Sequence, residues 1–147
     1  VVKEKKIHTL WFEAHYMYRK KLASFAEQFA PAKVKFRCGV ETFDTALREA
    51  WKKGIPSSVS VQDIAQHFQG ICLLCCTQGE TKEHILKDIE LAKAHFEYFS
   101  VNVFCDNHTP IKQDKELASW FAKEVYPMIK DDPRIEVLME NTDLGVG

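Results

Sequence analysis

Lys33-Val34-Lys35-Phe36-Arg37-Cys38-Gly39-Val40-Glu41-Thr42-Phe43-Asp44 is the stretch whose reading decides the fold. Val34 to Val40 reads as a short buried strand, a polar cluster follows, and Phe43, Leu47 and Trp51 then share one face of a helix. A strand that ends in polar residues and turns straight into a helix is the βα unit of a parallel sheet. In such sheets ligands are met at the carboxyl ends of the strands. Arg37 and Glu41 are expected at that end, beside Gly39, which lets the backbone approach a ligand closely.

The same order recurs on both sides of this unit. Ile7 to Phe12 reads as a strand, and Glu13-Ala14-His15 leads into a helix reaching about Phe29, with Tyr18, Leu22, Phe25 and Phe29 as its apolar stripe and Pro31 as its stop. Gly54 and Pro56 end the helix after Glu41, and Ser60 caps a short helix carrying Ile64 and Phe68. Ile71 to Cys76 is a continuous apolar run, as in a strand covered on both faces. Thr77-Gln78-Gly79-Glu80 turns into a helix capped by Thr81 and buried through Ile85, Ile89, Ala92 and Phe96. Phe99 to Cys105 reads as a fourth strand, followed by the loop Asp106-Asn107-His108-Thr109-Pro110. A helix from about Asp114 then turns Leu117, Phe121 and Val125 inward, with Pro127 disturbing its last turn, and Ile135 to Met139 is a fifth strand.

Strands roughly thirty residues apart with helices between them define an α/β chain of βαβ units. Right-handed crossovers between neighbouring strands place the helices on one side of a curving parallel sheet. The expected fold is a partial (β/α) barrel of the TIM-like type, because five strands fall short of the eight or so that close one. The doubly wound alternative lacks a glycine-rich phosphate loop to support it. Residues 1–147 read as a single domain without repeats. The first residue, Val1, and the final Gly145-Val146-Gly147 suggest a piece truncated at its amino end, whose exposed sheet edges invite self-association.

Twenty Lys and Arg against 21 Asp and Glu give no electrostatic reason to expect nucleic acid or an acidic membrane as a partner. No apolar run approaches the ~18 residues of a membrane helix. The five cysteines, an odd number, read as buried thiols in a reducing cytoplasm. Cys72-x-x-Cys75-Cys76 has a metal-like spacing. In a strand, however, Cys72 and Cys75 point to opposite faces, so no metal site is expected there.

Under the barrel reading one rim collects Glu13, His15, Arg37, Glu41, Gln78, Glu80, Asp106, Asn107, His108, Glu140 and Asp143. Such a set suits a polar small molecule carrying amino and carboxylate groups. Helix caps in polar loops account for many of these residues equally well. Three function classes stay open: a cofactor-dependent enzyme, a metal- or phosphate-dependent barrel hydrolase or lyase using His15 and Asp106, and a non-catalytic binding module.

Arg37-Cys38-Gly39-Val40-Glu41-Thr42-Phe43-Asp44, with Leu47-Arg48 and Lys52-Lys53-Gly54 after it, resembles the middle of radical S-adenosylmethionine (SAM) enzymes. Cys76-Thr77-Gln78-Gly79-Glu80-Thr81, with Asp88-Ile89 beyond, is similar to that family's Gly-Leu-Pro-Gly-Gln-Thr turn. The resemblance implies a partial (β/α)6 barrel, an oxidoreductase-type radical chemistry, SAM and a [4Fe–4S] cluster. It also implies cofactor contacts from Glu13, Arg37, Gly39, Glu41, Gln78 and Asn107, with Glu41 at the ribose or amino group and Glu13 at the methionyl ammonium. The family's Cys-x3-Cys-x2-Cys cluster motif is absent from these residues, so the cluster ligands are expected upstream and the chain alone is expected to be inactive.

Overall fold

The computed structural model describes residue 2 and residues 4–140. Five strands, β1 (Thr9–Glu13), β2 (Lys33–Glu41), β3 (Gly70–Cys75), β4 (Tyr98–Val103) and β5 (Ile135–Leu138), form one sheet in the order β1-β2-β3-β4-β5. Every neighbouring pair is parallel. Each strand is followed by helix before the next begins, through α1 (Leu22–Glu27), α2 (Thr45–Ala50), α3 (Val61–Ala65), α4 (Lys82–His95), α5 (Lys115–Trp120) and α6 (Tyr126–Ile129). The expected α/β half-barrel is the observed fold.

Period-two alternation decides what each face of the sheet carries. Phe36, Cys38 and Val40 of β2, Ile71, Leu73 and Cys75 of β3, Phe99, Val101 and Val103 of β4, and Ile135 of β5 point to one side, where they form the core with Ile85, Ile89, Phe121 and Val125. The other face is lined by Trp11, Glu13, Lys35, Arg37, Gly39, Cys72, Tyr98, Ser100 and Glu136. The sheet curls toward this second face. Trp11 on β1 and Tyr98 on β4 lie three strand spacings apart, about 14 Å in a flat sheet, yet their ring centroids are 5.7 Å apart.

Gly70, on β3, makes that approach possible. A Cβ there would lie 2.8 Å from the Tyr98 carbonyl oxygen and 3.1 Å from the Trp11 ring. Gly70→Ala is therefore expected to cost about 1–3 kcal/mol through overpacking against backbone, read as a lowered urea midpoint. An unchanged midpoint would show that the curl yields freely at this point.

The helical segments depart from the periodic pattern in three places. After β1, Tyr16–Lys21 winds as a 3-10 helix capped by His15, and only then does α1 begin. Three residues per turn aligns Tyr16, Arg19 and Leu22 rather than Tyr18, Leu22 and Phe25. Tyr16 is accordingly 7% exposed and Tyr18 49%. In α2 the buried residue is Arg48, which donates from Nη2 to the carbonyls of Pro56 (3.1 Å) and Val59 (3.3 Å) and ties the following loop to the helix. Between α5 and α6, Phe121–Val125 widens into a π turn. Pro127 has no N–H to donate to the carbonyl four residues back, so the helix relieves the clash one turn earlier than Pro127 itself.

Candidate functional site

The carboxyl end of β2 carries two irregularities. The register with β3 shifts between Gly39 and Glu41, and Glu41 has φ +68°, a left-handed conformation that costs a side-chain-bearing residue of order 1 kcal/mol or more. Together they bend the strand and present Glu41 on the concave side. Its Oε1 accepts from Lys53 Nζ at 2.7 Å. Lys53 is fixed in turn: its carbonyl accepts from His15 Nε2 at 2.7 Å, while His15 Nδ1 accepts from the Met17 amide, which places the ring proton on Nε2. The loop after β1 and the loop after α2 are thereby joined beside Glu41.

The turn leaving Glu41 is clamped from α4. Asp88, 6% exposed, accepts from the Phe43 amide at 3.0 Å and bonds the buried Thr42 hydroxyl, which itself accepts from the Asp44 amide. Asp44 then caps α2 by accepting from the Leu47 amide at 2.9 Å. Burial raises the Asp88 carboxyl to about 6 against these hydrogen bonds.

Below the rim, on the concave face, Arg37 lies between two carboxylates. Its guanidinium is 3.2 Å from Glu13 Oε2 and 3.8 Å from Glu136 Oε2. Burial opposes the Arg37 charge, but Glu13, through its charge and its hydrogen bond, helps to raise the guanidinium above its ordinary value. Tyr98 donates its hydroxyl to Glu136 at 2.8 Å, and burial with that bond pushes the phenol up to about 12. Lys35 pairs with Glu97 and stands 5.4 Å from the Trp11 ring centroid. Trp11, Phe12, Glu13, Arg37 and Tyr98 line a cavity of about 400 Å³ that is open to solvent on one side.

Of the residues expected to contact a cofactor, the structure brings four together. A Cβ on Gly39 would lie 3.5 Å from Glu41 Oε1 and 3.7 Å from Glu13 Oε1, and Arg37 bonds Glu13. Arg37 stands in the middle of β2 rather than at its end, because the strand runs on to Glu41. Gln78 and Asn107 occupy the loops after β3 and β4. The Gln78 amide donates to the Lys112 carbonyl at 2.8 Å, and Asn107 Oδ1 accepts from the Thr109 amide and hydroxyl. Glu80 is not a rim group: it is 8% exposed and turns back to accept from the Thr77 amide (2.6 Å) and hydroxyl (2.8 Å). Burial raises its carboxyl to about 7. His15 and Asp106 have separate partners, the Lys53 carbonyl and the Gln113 amide. Asp143 lies outside the described residues.

Trp11, Lys35, Tyr98 and Glu136 escape a reading confined to loops. The signal for them is the alternation Trp11/Glu13, Lys35/Arg37/Gly39 and Tyr98/Ser100, polar or aromatic at every second strand position.

The cysteines do not form a ligand set. Cys72 faces the concave side, 3.9 Å from Glu13 Oε2, whereas Cys75 lies in the core with its sulfur 3.7 Å from Cys76. Burial pushes Cys38 up to about 12 and Cys72 to about 11, away from the thiolate form that binds metal. Among the described residues no group of three or more His, Cys, Asp or Glu side chains is placed to hold a metal ion, so these residues do not fit a [4Fe–4S] cluster. They do fit the polar parts of SAM, since Lys53 takes only one oxygen of Glu41 and Glu13 is more than half exposed to the concave side. Among the described residues no helix is long and apolar enough to cross a membrane.

No family model matches the chain, and no curated protein matches it. Among solved structures, the queuine lyase from Clostridium spiroforme bound to SAM and queuine is similar to it, at 37% identity and a TM-score of 0.90. The likeness covers 99% of this chain, which spans 63% of that one. With its curled five-stranded parallel sheet and a likeness that runs along nearly its whole length, the chain belongs to the radical SAM superfamily, of whose core barrel it forms a part.

Proposed function

We propose that this chain is the cofactor- and substrate-facing wall of a SAM-dependent radical enzyme that acts on a queuine-type base. The observation that carries the proposal is the meeting of Glu13, Gly39 and Glu41 at the carboxyl ends of β1 and β2, in a chain 37% identical to a protein bound to SAM and queuine. In this reading residues 1–147 act as one unit of a (β/α)6 barrel. In the full-length protein, SAM held by Glu13, Gly39 and Glu41 would supply radical chemistry together with a [4Fe–4S] cluster whose ligands are not among these residues.

The chain's own groups bind and orient. Gly39 lets the cofactor lie against the β2 backbone. The Glu41 oxygen not taken by Lys53 accepts from a cofactor hydroxyl or ammonium, and Lys53 fixes the carboxylate's direction. Glu13 receives the methionyl ammonium, while Gln78 and Asn107 border the site from the loops after β3 and β4. Glu41→Gln in the full-length protein is expected to weaken SAM binding by about tenfold or more, the worth of a charge-assisted hydrogen bond. Anaerobic titration reads this directly, and an unchanged affinity would remove Glu41 from the cofactor site.

A further inference from the structure

The cavity at the floor of the half-barrel lies around Arg37, below Glu41, and its walls have a definite chemistry. Trp11 is 42% exposed although it sits within a strand, and that exposed face looks into the cavity with Tyr98. The two rings, in contact at 5.7 Å between centroids, form one aromatic wall against which a flat ligand can lie. Glu13 and Glu136 remain about half exposed while flanking Arg37, so two carboxylates share one guanidinium. Lys35 does not correct the imbalance, because it pairs with Glu97. One negative charge is therefore left over at the wall, and a ligand entering there must supply N–H donors or a positive charge to replace lost water. A volume of about 400 Å³ admits a bicyclic heterocycle but not a whole SAM molecule together with one.

We infer that this cavity is the subsite for the planar, N–H-bearing base of the substrate, laid against the Trp11–Tyr98 pair and read by the carboxylate of Glu136, which borders the cavity through its contacts with Tyr98 and Arg37. The inference rests on the proposed function for the kind of substrate, and it adds the residues that select it. Tyr98 acts as a positioning residue as well as a wall: it keeps its proton and donates to Glu136, which leaves the other Glu136 oxygen for the base. Arg37 holds both carboxylates in place, and Gly70 leaves room for Trp11.

The test uses the full-length protein under anaerobic conditions, with queuine and SAM titrated separately by calorimetry. Glu136→Gln is expected to weaken queuine binding by about tenfold or more, a charge-assisted hydrogen bond lost, with SAM affinity unchanged. Trp11→Leu, which keeps an apolar side chain against Gly70, is expected to weaken queuine binding too. Queuine affinity unaltered in both variants, or a parallel loss of SAM affinity in Glu136→Gln, would overturn the subsite. Wild-type protein that binds queuine in a Glu136-dependent way but does not bind SAM would uphold the subsite while overturning the cofactor reading.

Discussion

Asp88→Ala is expected to destabilise the fold by about 2–4 kcal/mol and to weaken SAM binding in the full-length protein, whereas Asp88→Asn is expected to change stability by no more than about 1 kcal/mol. Asp88 reaches from α4 to the turn after β2, where it accepts from the Phe43 amide and bonds Thr42, 0% exposed. Alanine strands two buried donors, each costing about 1–3 kcal/mol, offset in part by removing a carboxylate that burial has already raised to about 6. Asparagine keeps an acceptor for Phe43, and its amide donates to the Thr42 oxygen. Urea unfolding of both variants separates the cases, and equal stabilities would show that the carboxyl group does not hold the turn. The effect on the cofactor follows from geometry. Glu41 precedes Thr42 and occupies a left-handed conformation that relaxes once its neighbours are released.

The chain is expected to be more stable at pH 5 than at pH 8, by about 3–4 kcal/mol. Glu80 rises from an ordinary 4.5 to about 7 and Asp88 from 3.8 to about 6, in both cases chiefly through burial. Between their unfolded and folded values the native chain holds protons that the unfolded chain has released. Stability contributed by these groups is therefore full at low pH and is lost as pH rises through the window from about 4 to 7. Only the part of each displacement above pH 5 counts in this comparison, about two units for Glu80 and one for Asp88, and at roughly 1.4 kcal/mol per unit the two together give the stated difference. Asp63 and Asp132, held low by Ser60 and Arg134, work in the opposite sense, but only as pH falls through their own lower range. Glu80→Gln keeps an acceptor for Thr77 and removes the larger of the two titrations. It is expected to raise the thermal midpoint at pH 8 and flatten most of the slope. Thermal scans at half-unit steps check both points. A wild-type midpoint that climbs from pH 5 to pH 8 would contradict the assignment.

The strands were legible because their periodicity is local. A continuous apolar run marks β3, alternation of Phe99, Val101 and Val103 with polar residues marks β4, and a polar end followed by a helical stripe marks each βα unit. Glu13, Gly39 and Glu41 were legible for the same reason, since each stands at or near the end of its strand. Glu80 was misplaced on the rim because a polar side chain in a tight turn can face outward or bend back to cap it. Only the Thr77 contacts distinguish the two. Tyr16 was overlooked because a 3-10 turn rotates the stripe, and nothing in the local composition distinguishes that winding from an α-helix. The Trp11–Tyr98 contact and the Glu13–Arg37–Glu136 arrangement depend on how sharply five strands curl. Curl is a property of the assembled sheet, and it joins residues as far apart in sequence as Arg37 and Glu136.

The left-handed residue at the end of β2 has a counterpart. Cys76, just past the end of β3, has φ +67° and is fully buried. Glycine would adopt either conformation without a steric penalty, so each position is a ready target for stabilising the protein by design, but the two differ in what is given up. At position 76 a glycine leaves a small void in the core, and the net change reports only packing against backbone ease. At position 41 it removes the carboxylate that faces the concave surface. A variant with glycine at 41 that is sturdier yet inert, beside one at 76 that still works, would display a trade between robustness and catalysis at one backbone angle.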